Sequence, residues 1–173
     1  AARHYGCRVT TTTISQAQRQ LALERVRAAG LSDRIEVLGT DYRDLEGTFD
    51  RLVSIEMIEA VGHENLPGYF RACADRLHPD GAMLLQAITM PDRDYRDYLG
   101  SADFIQRYVF PGSSLPSLGS ITSAVARTDL RVGNVESLGG HYGETLRRWR
   151  RAFSQRLPEV RALGFDERFV RLW

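Results

Sequence analysis

Hydrophobic positions along the chain follow a strand period and a helix period in alternation. Residues 8–14 crowd β-branched side chains together in the manner of a buried strand. Ser15 then stands where a helix running to about Ala29 needs its N-cap, and Gly30 stops that helix. Residues 35–38 predict a second short strand, followed by a loop carrying Asp41, Tyr42 and Arg43. Residues 49–55 predict a third strand ending at Glu56. A helix over residues 65–77 closes on the turn formers His78, Pro79, Asp80 and Gly81. Residues 82–88 are a near-continuous apolar run, which suits the central strand of a parallel sheet covered on both faces. Over residues 91–119 the alternation stops, and Tyr95, Tyr98, Phe104, Tyr108 and Phe110 punctuate an irregular stretch. A helix then starts near Ile121, residues 131–137 read as a strand, and a long helix covers residues 142–162.

This order of elements predicts an α/β, doubly wound, Rossmann-like fold, in which ligands sit at the carboxyl ends of the strands. Thr13, Asp41, Glu56, Glu59 and Gln86 all follow strands and are the first candidates for chemistry. The aromatic insertion is long for a compact domain and is expected either to cover an apolar substrate as a lid or to pack on the core. The chain thus divides into a cofactor-side core (1–90), the insertion (91–120) and a C-terminal part of the core (121–173).

Composition narrows the function classes. The 173 residues, 43% hydrophobic and 26% charged, are those of a folded globular chain. All 23 basic residues are Arg, yet the formal net charge is only +1, which argues against a nucleic-acid partner recognised through overall charge. The densest run, Arg147, Arg148, Arg150 and Arg151, is either a solvated helix face or a contact to anionic lipid head groups. Cys7 and Cys73 fit no metal or redox spacing and are expected to be buried, reduced thiols. His4, His63, His78 and His141 form no metal-ligand pattern, and His63 is expected to be structural. No apolar run approaches the roughly 18 residues of a membrane span and no export signal is present, so a cytoplasmic location with peripheral membrane contact is expected.

Four stretches bear on identity: TTISQAQ from Thr12, DYRDLEGTFDRLVSIEMIEAVGH from Asp41, QRYVFPGSSLPSL from Gln106 and GGHYGETLRRW from Gly139 onward. Together, and in this order, they resemble the cyclopropane fatty acid and mycolic acid cyclopropane synthases, which are S-adenosylmethionine-dependent methyltransferases. The resemblance also implies a Gly-rich cofactor loop upstream of Ala1 and a further helix and strand beyond Trp173. The chain is therefore expected to be an internal fragment, with cofactor binding weakened by the missing loop.

The resemblance implies roles residue by residue. Thr13 and Gln18 would meet the ribose or amino-acid part of S-adenosylmethionine, and Asp41 and Tyr42 its adenine, by hydrogen bonding and stacking. Glu56 would belong to the same cofactor set. Arg43 and Asp44 are expected to form a surface pair. Glu59, the backbone at Ile55, Ile88 and Tyr142 would frame a bicarbonate ion. Methylation of an alkene leaves a carbocation, and that anion would remove a proton and offset the charge. Where these synthases show a histidine, this chain has Gln86, which donates and accepts but does not carry a proton.

The expected activity is methyl or methylene transfer to the double bond of an unsaturated phospholipid acyl chain. The alternatives are a methyl-branch-forming lipid methyltransferase, a methyltransferase of small soluble acceptors, and a non-catalytic lipid-binding fragment. A nucleotide-dependent oxidoreductase would share the alternation of elements but not the YVFPG and HY...TL..W stretches.

Overall fold

A computed structural model describes residues 1–173. The chain forms two compact units, Ala1–Val53 with Gly68–Leu84, and Ser54–Pro67 with Leu85–Trp173. The boundaries run through β3, α3 and β4 below.

In the first unit, α1 (Ala2–Tyr5) leads into β1 (Val9–Thr12), α2 (Gln16–Ala28) and β2 (Ile35–Leu38). The two strands pair in parallel, Val9 opposite Ile35 and Thr12 opposite Leu38, the arrangement that a helical crossover requires. Ser15 caps α2 as expected, its hydroxyl accepting from Gln18 N at 3.3 Å. Gly30 follows at φ 64, a conformation open to glycine at no steric cost. Arg19 Nε reaches back to Val37 O at 3.2 Å and ties the helix to β2.

β3 (Phe49–Ile55) and β4 (Leu77–Gln86) make a second two-stranded sheet. Phe49 N donates to Arg76 O at 2.8 Å and Glu56 N to Gln86 O at 2.9 Å, so the strands run in the same direction. The turn expected at residues 78–81 lies inside β4, tightly folded: a Cβ on Gly81 would fall 2.8 Å from His78 O. The expected double coverage of this strand is not realised, since Leu84 is 56% exposed. α3 (Leu66–Asp75) places Tyr69, Phe70 and Cys73 on one buried face. Tyr69 meets Phe70 edge-on at 5.1 Å and Tyr42 at 5.5 Å, a favoured geometry for aromatic pairs.

In the second unit the insertion is largely helical, with α4 (Asp92–Leu99) and α5 (Phe104–Tyr108) preceding α6 (Leu118–Val125). α5 starts on a capping box in which Gln106 N donates to Asp103 Oδ1 at 2.8 Å and Asp103 N to Gln106 Oε1 at 2.9 Å. Tyr98 is buried and its hydroxyl accepts from Leu115 N at 3.0 Å; Asp92 Oδ1 accepts from Gly119 N at 2.8 Å. These bonds hold α4 against α6, whose Ile121, Ala124 and Val125 are buried.

The strand expected at residues 131–137 is absent. Its alternation is carried by Val132 and Val135, which are 51% and 59% exposed, and no neighbouring strand pairs with them. α7 (Gly139–Gln155), α8 (Leu157–Ala162) and α9 (Glu167–Leu172) complete the chain. Phe165, Phe169 and Trp173 stack in sequence at 4.2 and 6.0 Å. Cys73 is buried as expected, whereas Cys7 is exposed. No helix is long and apolar enough to cross a membrane.

Candidate functional site

In the first unit the sequence candidates gather at the carboxyl ends of β1 and β2. Pairing of Thr12 with Leu38 continues as Thr13 N to Leu38 O at 3.2 Å, which sets the two strand ends side by side. Thr13 Oγ1 donates to Gln18 Oε1 at 2.9 Å and accepts from Ser15 N, so Thr13 and Gln18 form one polar corner. Beyond β2, Asp41 caps a 3-10 turn at Tyr42–Asp44. Arg43 pairs with Asp41 rather than with Asp44: its Nε and Nη2 meet the two carboxylate oxygens at 2.9 and 2.8 Å. The planar guanidinium matches both oxygens at once, which the neighbouring Asp44 is not placed to offer. That side-chain hydrogen bonding, with the Arg43 amide adding to it, lowers the Asp41 pKa to about 2. Tyr42 is half-buried, and burial pushes its phenol pKa up.

A surface depression of about 590 Å³ runs along α2 past Thr13, Arg19 and Gly39. It takes in none of Gln18, Asp41 and Tyr42. It is lined mainly by α2 and touches the strand ends only at Thr13 and Gly39.

The second unit holds the carboxyl ends of β3 and β4 and brings the remaining candidates together. Glu59 is 6% exposed; its Oε1 accepts from Ile88 N at 2.5 Å, while its Oε2 is buried with no partner. One half of this carboxylate is thus satisfied by backbone, and the other is an acceptor whose desolvation is uncompensated. Glu59 O also accepts from Ser114 N at 2.8 Å, fixing the start of the Ile58–Ala60 turn against the YVFPG segment.

The other convergence is on Glu56. Gln86 Nε2 and Tyr142 Oη both donate to Glu56 Oε1, each at 3.0 Å, from residues 30 and 86 positions away in the chain. Glu56 stands at φ 50, the one non-glycine residue of the chain with positive φ. For an L-residue that conformation is strained, and it persists here where the chain turns from β3 toward Glu59. The Glu56 hydrogen bond is the main reason the Tyr142 pKa is raised, with the charges of Glu56 and Glu59 both contributing. Both carboxylates therefore act on the same phenol. Neither is bonded to a basic side chain. Ile55 and Ile88, 56% and 43% exposed, set apolar surface beside the pair.

The sequence placed Tyr142 and Gln86 on a bicarbonate ion and Glu56 with the cofactor set. In the structure Tyr142 and Gln86 each bond to Glu56. Nothing in the local pattern announces this link, because it depends on the sign of one backbone angle and on partners far apart in sequence.

A family model described as mycolic acid cyclopropane synthetase matches residues 1–173. The chain is 44% identical over 169 residues to the tuberculostearic acid methyltransferase UfaA1 of Mycobacterium tuberculosis, covering 97% of this chain and 40% of that protein. It is 34% identical over 172 residues to the cyclopropane-fatty-acyl-phospholipid synthase of Escherichia coli strain K12, covering 99% of this chain and 42% of that protein. Among solved structures, the mycolic acid cyclopropane synthase CmaA1 complexed with SAH and CTAB superposes with a TM-score of 0.87 at 27% identity, covering 99% of this chain and 63% of that one. The chain spans about two fifths of the length of these two curated relatives. The doubly wound methyltransferase fold expected from the sequence is the fold observed.

Proposed function

The chain belongs to the mycolic acid cyclopropane synthetase family, and on that footing we propose that it serves S-adenosylmethionine-dependent one-carbon transfer to the double bond of an unsaturated phospholipid acyl chain. The observation that carries this reading is the pair of carboxylates, Glu56 and Glu59, beside one phenol with no basic side chain bonded to either. Addition of a methyl group to an alkene puts positive charge on the acyl chain, and fixed negative charge next to it lowers the barrier. The exposed apolar Ile55 and Ile88 beside the carboxylates suit an acyl chain better than a small polar acceptor.

S-adenosylmethionine supplies the electrophilic methyl when bound. The polar corner of Thr13 and Gln18 suits its ribose or amino-acid portion, and the half-buried ring of Tyr42 suits its adenine. Asp41 would accept from the adenine amine only through lone pairs left over by Arg43. In the second unit, Ile55 and Ile88 flank the acyl chain, and the aromatic face of α5 with Phe104, Tyr108 and Phe110 offers it further apolar surface.

A bicarbonate ion does not fit the residues as they stand. Glu59 Oε2 could accept from its hydroxyl, but the one O–H of Tyr142 and one N–H of Gln86 are already donated to Glu56, which the anion would have to displace.

The product is either a cyclopropane ring or a methylene group, which a separate reductant would have to convert into a methyl branch. The likeness to a relative named for tuberculostearic acid favours the branch reading; both products lose one proton from the added carbon, so Gln86 in place of a histidine does not decide between them.

The test is equilibrium binding of S-adenosylmethionine to the natural protein that carries this chain. Saturable binding is expected, weakened roughly 5- to 10-fold by Tyr42→Ala if stacking contributes about 1 kcal/mol. Absence of binding would remove the methyltransferase reading.

A further inference from the structure

We infer that Glu56 is the protein's own base for the proton-removing step, in the place where the family resemblance calls for bicarbonate. The inference rests on the one-carbon transfer proposed above and deepens it.

Tyr142 and Gln86, two side chains that the resemblance turns toward an anion, are both donating, and the anion they hold is a carboxylate of the chain itself. Both donors meet Oε1, which orients the carboxylate and leaves Oε2 outside these bonds. Glu56 is an exposed residue, and no hydrogen bond from Gln86 or Tyr142 is made to its Oε2. The left-handed backbone at Glu56 is the second observation. A glutamate held at φ 50, where glycine would sit without strain, is the kind of local cost that persists where a side chain is used. Glu59 cannot take the same part as freely, because it is buried and its Oε1 is held by the Ile88 amide.

The chemistry balances without a further reagent. After the methyl carbon has bonded to one alkene carbon, the acyl chain bears one positive charge. Glu56 takes a proton from the added carbon, and the pair of electrons of that C–H bond forms the bond that quenches the charge. Bonding directly to the cationic neighbour closes a three-membered ring. If a hydride has first shifted from the methylated carbon to that neighbour, the same pair forms an exocyclic double bond, and the acyl chain becomes a methylene derivative. The proton then leaves Glu56 to solvent. A weak base suffices, because a proton next to a carbocation is strongly acidic. Tyr142, fixed on Oε1, is a positioning residue in this scheme, and so is Gln86.

The experiment compares wild-type natural protein with Glu56→Gly and Glu56→Gln variants, in buffer stripped of carbon dioxide and again with added bicarbonate or formate. A second readout, independent of turnover, is carbon-13 NMR of labelled bicarbonate titrated with each protein. Wild type is expected to turn over equally with and without bicarbonate and to leave the bicarbonate signal unbroadened. Glu56→Gly, whose backbone accepts φ 50, is expected to lose about 100-fold or more in rate, to recover part of it with bicarbonate or formate, and to broaden the signal. A wild type that binds bicarbonate or needs it for turnover overturns the inference, and so does a Glu56→Gly variant as fast as wild type. If wild type never turns over under any condition, the one-carbon transfer reading fails by itself, while the NMR arm still decides whether Glu56 fills the anion's place.

Discussion

Replacing Glu56 isolates the energetic cost of its backbone from the value of its side chain. Glu56→Ala and Glu56→Gly both delete the bonds from Gln86 and Tyr142, so those losses cancel when the two variants are compared with each other. What remains is the backbone at φ 50. The left-handed region costs an L-residue roughly 1–2 kcal/mol, which glycine does not incur. Glycine gives back roughly 0.5–1 kcal/mol through the greater freedom of its unfolded chain. The glycine variant should therefore be the more stable, by up to about 1.5 kcal/mol and by roughly 0.75 kcal/mol at the middle of both ranges. For a chain of this size that is roughly 1–4 °C in Tm. Urea and thermal unfolding of the two variants, monitored by circular dichroism, measure the difference directly. An alanine variant equal to or more stable than the glycine variant would refute the reasoning, because it would mean that the backbone at Glu56 is not held in the left-handed region.

Other outcomes follow from the same geometry. The Asp41 pKa is lowered to about 2 chiefly by the Arg43 side chain, so this pair's stabilisation is complete above the ordinary carboxylate value and is lost as pH falls from about 4 toward 2; an NMR titration should show Asp41 moving up toward 3.8 in Arg43→Ala and staying near 2 in the parent. Burial pushes the Cys73 thiol up to about 11, while Cys7 is exposed, so a thiol reagent at neutral pH should label one cysteine quickly and the second only on unfolding; peptide mapping should find the fast label on Cys7. Ser117, 1% exposed, caps α6 by accepting from Ser120 N at 3.0 Å, and Ser117→Ala should cost about 0.5–2 kcal/mol in urea unfolding; no loss would mean that the cap is replaced by another donor–acceptor pair.

The parts of the fold that were legible in the sequence are those dictated by local chemistry. The β-branched run before Ser15, the capping serine itself and Gly30 placed β1 and α2 within a residue or two, and the strand ends pointed to Thr13 and Asp41. Residues 131–137 misled because alternating valines look the same whether or not a neighbouring strand is there to bury them, and Val132 and Val135 stand exposed. The insertion looked irregular because its aromatic residues mask a helical period over short spans. The Asp103 and Gln106 capping box was a readable signal for α5. At the site, the family stretches and the strand ends singled out Glu59, Gln86, Ile88 and Tyr142 as candidates, but not the bonds that the last three and Glu56 make. That the Tyr142 phenol bonds to Glu56 and not directly to Glu59 depends on the left-handed turn at Glu56, which carries no sequence signature when the residue is not glycine.

Incubation of the natural protein with S-adenosylmethionine carrying a deuterated methyl, together with vesicles of a monounsaturated phospholipid, is the most direct test of one-carbon transfer to an acyl double bond. Mass spectrometry of the released fatty acids should show one added carbon at the former double bond, with one methyl deuterium lost to the base. Unchanged acyl chains, or label found on a soluble amine or hydroxyl acceptor instead, would contradict the assignment.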